Sequence, residues 1–299
     1  MPNLTGAGVG ISYGVETTWG DDASVATLQT VEVNAFTLTP SAEFYSDTPI
    51  VNDRMPRTPR KGNTGVGGDV GVNLRHGAYD ELIEAALLGA FVADVAKAGT
   101  TEKSVLFNAD LNDVSRHLQY VGNRVTSWNV SVPLSGVVTS TFSFAGKEVT
   151  DEAAAVATPA VAVSKEPFYH GQGTFTEGGT TIAHLTAINF TLANGYAPNY
   201  SLGSIVPSEM TYATVGLTGE VTAYVPNLVL FNKFLNETES SLSFTLTDPS
   251  GNTITFDMPK VKYSGAPLTI DDDQAVELTL PFTAYYDATE ETVLKVTRS

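Results

Sequence analysis

Short runs that alternate apolar with small polar residues recur along this chain in one order, and that order is written twice. Ahead of residue 149 come residues 31–38 (VEVNAFTL), a long polar loop, residues 68–74 (GDVGVNL), the segment AYDELIEAALLG, and the stretch WNVSVPLSGVVTSTFSFAGK at 128–147. Beyond residue 167 come LTAINFTL, a long loop, residues 219–225 (GEVTAYV), NLVLFNKFLNE, a hairpin, and LTIDDDQAVELTLPFTAYYD at 268–287. Side chains alternate faces along a strand, so each run carries one apolar and one polar face. Phe36-Thr37-Leu38 corresponds to Phe190-Thr191-Leu192, and Gly68-Asp69-Val70 to Gly219-Glu220-Val221. Tyr79, Leu82 and Ile83 correspond to Phe231, Phe234 and Leu235.

A preserved order of strands and helices points to tandem duplication of one mainly β unit. The period is far longer than the roughly 20–50 residues of a solenoid repeat. The chain of 299 residues is comfortable for two such units. The segment VTDEAAAVATPAVAVSKEP (149–167) is Ala- and Val-rich with two prolines, and reads as an extended linker. The expected organisation is a first unit over 1–148, a linker over 149–167 and a second unit over 168–299. Each unit is a twisted sheet pair with one helix, at 78–91 and 227–237, whose apolar stripes are spaced to pack on a sheet. A hairpin is expected around the turn DPSGN at 248–252, flanked by LSFTL and TITFDM. Residues 92–115 have no evident counterpart in the second half.

Composition narrows the function. A net charge of −17 opposes binding to nucleic acid or to an anionic membrane surface. Cysteine is absent, which rules out thiolate chemistry and a disulfide framework. No apolar run is long enough to span a bilayer, and the start MPNLTGAGVGISYG lacks the pattern of a signal peptide. His76, His117, His170 and His184 are scattered and form no metal motif. The glycines at 6, 8 and 10 follow no strand and read as an arm rather than a phosphate loop. No nucleophile elbow occurs. The expectation is no enzyme, no cofactor and no metal.

The succession INFTLANGYAPNYSLGS, then VGLTGEVTAYVPNLVLFNKFLNETESSLSFTLTDPSGNTITFDMPKVKYSG, then the stretch at 268–287, resembles the tail tube (major tail) proteins of long-tailed phages with non-contractile tails. The first half is similar through ISYGVETTWG, GDVGVNLRHGAYDELIEAALLG and VTSWNVSVPLSGVVTSTFSFAGK. The resemblance implies two tandem tail-tube-like β-sandwich or half-barrel domains. It implies rings whose inward sheets line a channel, stacked helically into a tube, with DNA passing through the lumen unbound during ejection. Single-domain relatives close six copies per ring, so a duplicated chain is expected to close three with pseudo-sixfold shape. Tail terminator, tape measure and distal tail proteins are the implied further partners, and the virion tail, assembled in the host cytoplasm, the implied location. The alternative is a secreted β-sandwich adhesin or surface-layer-type binding module.

Within that frame, Asp69, Glu220 and Glu277 lie on strands and are candidates to face the lumen, the alternative being a solvated outer face. Residues 168–299 hold 14 Asp plus Glu against five Lys plus Arg. Asp271, Asp272 and Asp273 read as an acidic turn at a ring rim; a run of three lacks the spacing of a calcium loop. Arg54, Arg57, Arg60 and Lys61 concentrate four cations within eight residues of an anionic chain. They are expected to form an inter-ring contact loop, near 50–66, that seeks the acidic rim of the next ring.

Overall fold

The computed structural model describes residues 6–163, 165–182, 184–224, 227–269 and 275–299. The first half holds β1 (Val9–Glu16), β2 (Leu28–Thr30), β3 (Ala35–Phe36), β4 (Thr39–Tyr45), β5 (Arg60–Asn73) and helix α1 (Asp80–Leu87). It continues with β6 (Val95–Lys97), β7 (Ser104–Leu111), β8 (Arg116–Val132), β9 (Thr139–Gly146), β10 (Glu148–Glu152) and β11 (Pro159–Ala160). The second half holds β12 (Gly173–Glu177), β13 (Thr180–Thr181), β14 (Leu185–Ala193), β15 (Ala197–Asn199), β16 (Glu209–Thr211), β17 (Gly216–Tyr224) and helix α2 (Val229–Leu235). It ends with β18 (Ser240–Thr247), β19 (Thr253–Tyr263), β20 (Leu268–Thr269), β21 (Glu277–Ala284) and β22 (Lys295–Arg298). The chain is mainly β, as its alternation requires.

The strand pairings repeat. In the first half β5 pairs β3, β4 and β9, β9 pairs β8, β8 pairs β7 and β10, and β7 pairs β1. In the second half β17 pairs β14 and β21, β21 pairs β19, β19 pairs β18 and β22, and β18 pairs β12. The matched glycines share a physical cause. A Cβ on Gly68 would sit 2.4 Å from the Thr37 carbonyl oxygen, and one on Gly219 2.4 Å from the Asn189 carbonyl oxygen. In each half a neighbouring strand approaches too closely for a side chain.

Three expectations need correction. Residues 92–115 do have a counterpart in part, because β7 occupies in the first half the place of β18 in the second. It was hidden because SVLFNADL is buried at six consecutive positions and so carries no alternation; the outer face of β7 and its neighbours is covered by residues of the 149–167 segment such as Ala155 and Val156. The helices also correspond differently. Both end in a left-handed residue, Leu88 and Glu237, each at φ 50°. Each then closes with the same capping bond, Gly89 N–H to Glu84 O and Thr238 N–H to Lys233 O. Cap to cap, Tyr79 matches Leu228 and Leu82 matches Phe231, three residues from the match that the apolar stripe suggests.

The glycines at the start also behave differently from a free arm: Gly6–Gly8 form a 3-10 turn that runs directly into β1. The 149–167 segment contributes β10, and β11 alongside β2 in parallel. One hydrophobic core spans both halves. At its centre Trp128 of β8 stacks on Phe142 at 5.7 Å and meets Phe190 and Phe256 of the second half at 5.6 and 5.9 Å.

Candidate functional site

The two halves are stitched into one sheet. The C-terminal part of β8 pairs β14 from Ser127↔Ala193 to Val132↔Ile188. This makes an antiparallel run β5–β9–β8–β14–β17–β21. Residues directly paired across strands share a face, so each face can be read rung by rung. One inner rung is Val70–Phe142–Trp128–Leu192–Leu217–Ala284, all buried. One outer rung is Gly71–Thr141–Asn129–Thr191–Thr218–Thr283, and the next is Asn73–Thr139–Ser131–Asn189–Glu220–Pro281.

This outer face carries the predicted acids. Asp69 pairs Ser143 and Glu220 pairs Asn189 on it, and Glu277 pairs Tyr224, two positions along from Thr222 on the same side. Asp69 and Glu220 are exposed and Glu277 is half-buried. The two outer rungs contain no lysine or arginine; the cations on this side lie at its margins, Arg60 on β5, Arg124 on β8 and Lys262 on β19. Asn129 bridges the junction of the halves, donating to Phe190 O at 3.1 Å and to the Thr191 hydroxyl at 3.0 Å.

The sheet ends in open borders. Among the described residues β4 pairs only β5, and β20 pairs only β21. On β4 the large side chains Phe44 and Tyr45 are exposed. An unpaired border of N–H and C=O groups is a template for pairing with another strand. The basic loop springs from the same border. Arg54 is exposed, Arg57 pairs with Asp53 at 2.8 Å, and Arg60 and Lys61 open β5 opposite Tyr45 and Phe44. Asp271, Asp272 and Asp273 lie outside the described residues.

The junction between halves is closed by residues that sequence reasoning did not single out. Asn194 donates to Ala86 O at 2.8 Å and Val125 O at 3.0 Å, capping α1 from the second half. Arg124 donates to Met210 O at 2.9 Å and to Glu102 at 2.8 Å, with its guanidinium over Trp19 and Tyr196. A buried acid ends the first strand of each half. Glu16 accepts Gly122 N–H at 2.6 Å and Gly20 N–H at 2.9 Å. Burial pushes its carboxyl above the ordinary range, against the pull of those N–H donors, Ser104 and Lys147. Glu177 instead takes Lys233 of α2 at 2.6 Å, Ser240 at 2.5 Å and Tyr263 at 3.1 Å. Glu177 was readable as inward in GTFTE, in step with Phe175, whereas Glu16 falls out of step with Ile11 and Tyr13 in ISYGVE and carried no such signal.

Among the described residues no group of His, Asp and Glu is arranged to hold a metal, and no helix is long and apolar enough to cross a membrane. A family model described as phage tail tube protein matches residues 6–284. No curated protein matches the chain significantly. The chain belongs to the phage tail tube family, a structural component of the virion tail.

Proposed function

We propose that this tail tube protein closes rings of three chains by joining its open sheet borders, and that the rings stack into the DNA channel of the tail. Two tube modules, 1–148 and 168–299, with the linker 149–167 between them, would then give each ring pseudo-sixfold shape. The single observation that carries the reading is the outer face of the six-stranded run: Thr, Ser, Asn and Gly with Asp69, Glu220 and Glu277, crossing both halves without a central cation. The acids of such a wall repel phosphate, and its rungs carry no cation to anchor it.

The junction inside the chain indicates how chains join. By the repeated pairings β20 stands where the end of β8 stands, Leu268 matching Val130, and β3 with β4 stands where β14 stands. Val130 pairs Phe190 within the chain. The free border of β20 is therefore complementary to the β3–β4 border of the next chain, and three such junctions close the ring. The basic loop at Arg54, Arg57, Arg60 and Lys61 projects from β4 and β5 and supplies a contact to the following ring, its charge opposed by the acidic surface of this chain. Terminator, tape measure and distal tail proteins would meet the ends of the stack, after assembly in the host cytoplasm.

Negative-stain microscopy of the concentrated protein tests the reading: stacked rings or hollow tubes are expected, and particles that stay single at all concentrations would refute it. Arg57→Glu with Arg60→Glu separates the two contacts. The double variant is expected to form rings but not tubes, with its melting temperature unchanged; tubes of normal length would remove the loop from stacking.

A further inference from the structure

The junction between the halves is more than paired strands, and the repeated pairings extend the likeness beyond the sheet. Phe144 pairs Gly68, and Phe282 pairs the matching Gly219. Val125 pairs Phe144 and Tyr263 pairs Phe282, so Lys262 stands where Arg124 stands. Across the junction Leu192 pairs Leu217 and Pro40 pairs Val66, each partner two residues ahead of its matched glycine. That sets Phe36 where Ile188 stands, two residues from the match of the Phe-Thr-Leu triplets. Both hairpins then slip by one residue on the returning strand, ahead of Phe44↔Lys61 in the first half and Ala197↔Thr211 in the second. Phe44 therefore matches Tyr196, and Tyr45 matches Ala197.

Within the chain Tyr196 is seated on the first half. It is 8% exposed, packs with Leu88 and Met210, and lies under the Arg124 guanidinium at 5.3 Å. Glu102 holds that arginine at 2.8 Å. The ring comes from one half and the cation from the other, so the pair clamps the junction.

The parts of a second such seat are present and unjoined. Phe44 is 64% exposed on the open border of β4. Lys262 and Glu237 are exposed in the second half, and among the described residues neither forms an ion pair. Glu237 lies three residues ahead of Ser240 as Glu102 lies three ahead of Val105, and Ser240 pairs Val261 as Val105 pairs Asn123. By its helix cap Glu237 also stands where Leu88 stands, so it borders the seat on either count. The second half carries the cation and the carboxylate, and the first half carries the ring that fits them.

We propose that Phe44 of one chain seats beneath Lys262 of the neighbouring chain, with Glu237 holding that lysine, as Tyr196 seats beneath Arg124 within a chain. The inference rests on the ring reading above for its geometry, and its tests separate the two. Phe44→Ala is expected to raise the concentration needed for ring formation on the order of 10-fold, a change of about 1.4 kcal/mol, with monomer melting unchanged. Phe44→Tyr, which gives the seat the side chain found at 196, should assemble like the natural chain. Tyr45→Ala, which gives β4 the side chain found at 197, should shift assembly by less than about twofold. Lys262→Ala should weaken assembly about threefold, and Lys262→Arg should not weaken it. Phe44→Cys with Lys262→Cys tests the contact directly, because the chain has no cysteine of its own. A short bismaleimide should join that double variant into covalent dimers and trimers on a denaturing gel, and should join neither single variant. Rings whose Phe44→Ala and Tyr45→Ala variants assemble alike, with no crosslinked dimer, would overturn the proposal and leave the ring reading standing. Crosslinked dimers from a protein that never closes rings would keep the contact and sink the ring of three.

Discussion

Helices α1 and α2 have the same caps and opposite surroundings. On α1, Leu82, Ile83, Ala85, Ala86 and Leu87 are all buried, whereas no residue of α2 is fully buried and Leu235 is 59% exposed. The helices differ less than their neighbours do. The first is roofed by the Val95–Lys97 insertion, by the 149–167 segment and by Asn194 and Tyr196 of the second half. Among the described residues nothing stands in those places over the second. Burial here follows position: the half that is followed by another half is roofed, and the half that ends the chain is not.

The largest test asks whether the halves are separable at all. Trp128 belongs to the first half, yet it packs against Phe190 and Phe256 of the second. Trp128→Ala is expected to cost about 3–5 kcal/mol and to lower one common unfolding transition in calorimetry. Two transitions, with only the first moved, would mean that the halves fold as independent bodies. Next in size is Lys233→Met. Glu177 is 5% exposed and, among the described residues, pairs with no cation but this one, whereas Glu16, also buried, is held by backbone N–H groups. Removing one partner strands a buried charge; because Lys233 is itself partly solvated, a loss of about 2–3 kcal/mol in urea unfolding is expected. An unchanged midpoint would show that Ser240 and Tyr263 suffice.

Much of this contrast was written in the sequence and part of it was not. Alternation marked the strands and placed Asp69 and Glu220 opposite the apolar residues of their runs. It could not say that the two acids and Glu277 share one face, because that depends on pairing through β8 and β14, which lie far apart in the chain. The helical stripes were legible, but periodicity alone left their alignment three residues off, since an apolar stripe recurs each turn and only the cap fixes the end. β7 was illegible because both its faces are covered. The open borders were not legible either: a strand carries the same pattern whether or not a partner lies beside it.

The acids that end the first strands sharpen the comparison through pH. Burial holds the Glu16 carboxyl above its ordinary value. For a raised acid the folded state binds more protons than the unfolded state between the two pKa values. Its share of stability is thus full at low pH and is lost as pH rises from the unfolded value through the folded one. Glu16→Gln mimics the neutral form, so its stability relative to the natural chain should improve from about pH 4 to pH 7, read by urea unfolding of monomers. A pH-independent difference would show that the backbone donors alone set the energy of this site.

The smallest effects come from exchanging residues between the helices. Cap-to-cap matching places Ala86 of α1 opposite Leu235 of α2. Ala86 is fully buried beneath Asn194, so Ala86→Leu overfills a packed site and should cost about 1–3 kcal/mol. Leu235 is mostly in water, so Leu235→Ala should move the monomer by less than about 0.5 kcal/mol. The asymmetry should shrink once chains assemble. If a neighbour roofs α2 as the second half roofs α1, Leu235→Ala will weaken ring formation while leaving monomer unfolding untouched. Equal effects on monomer and ring would mean that α2 remains at the surface of the finished tube, and the likeness between the junction within a chain and the junction between chains would stop at the sheet.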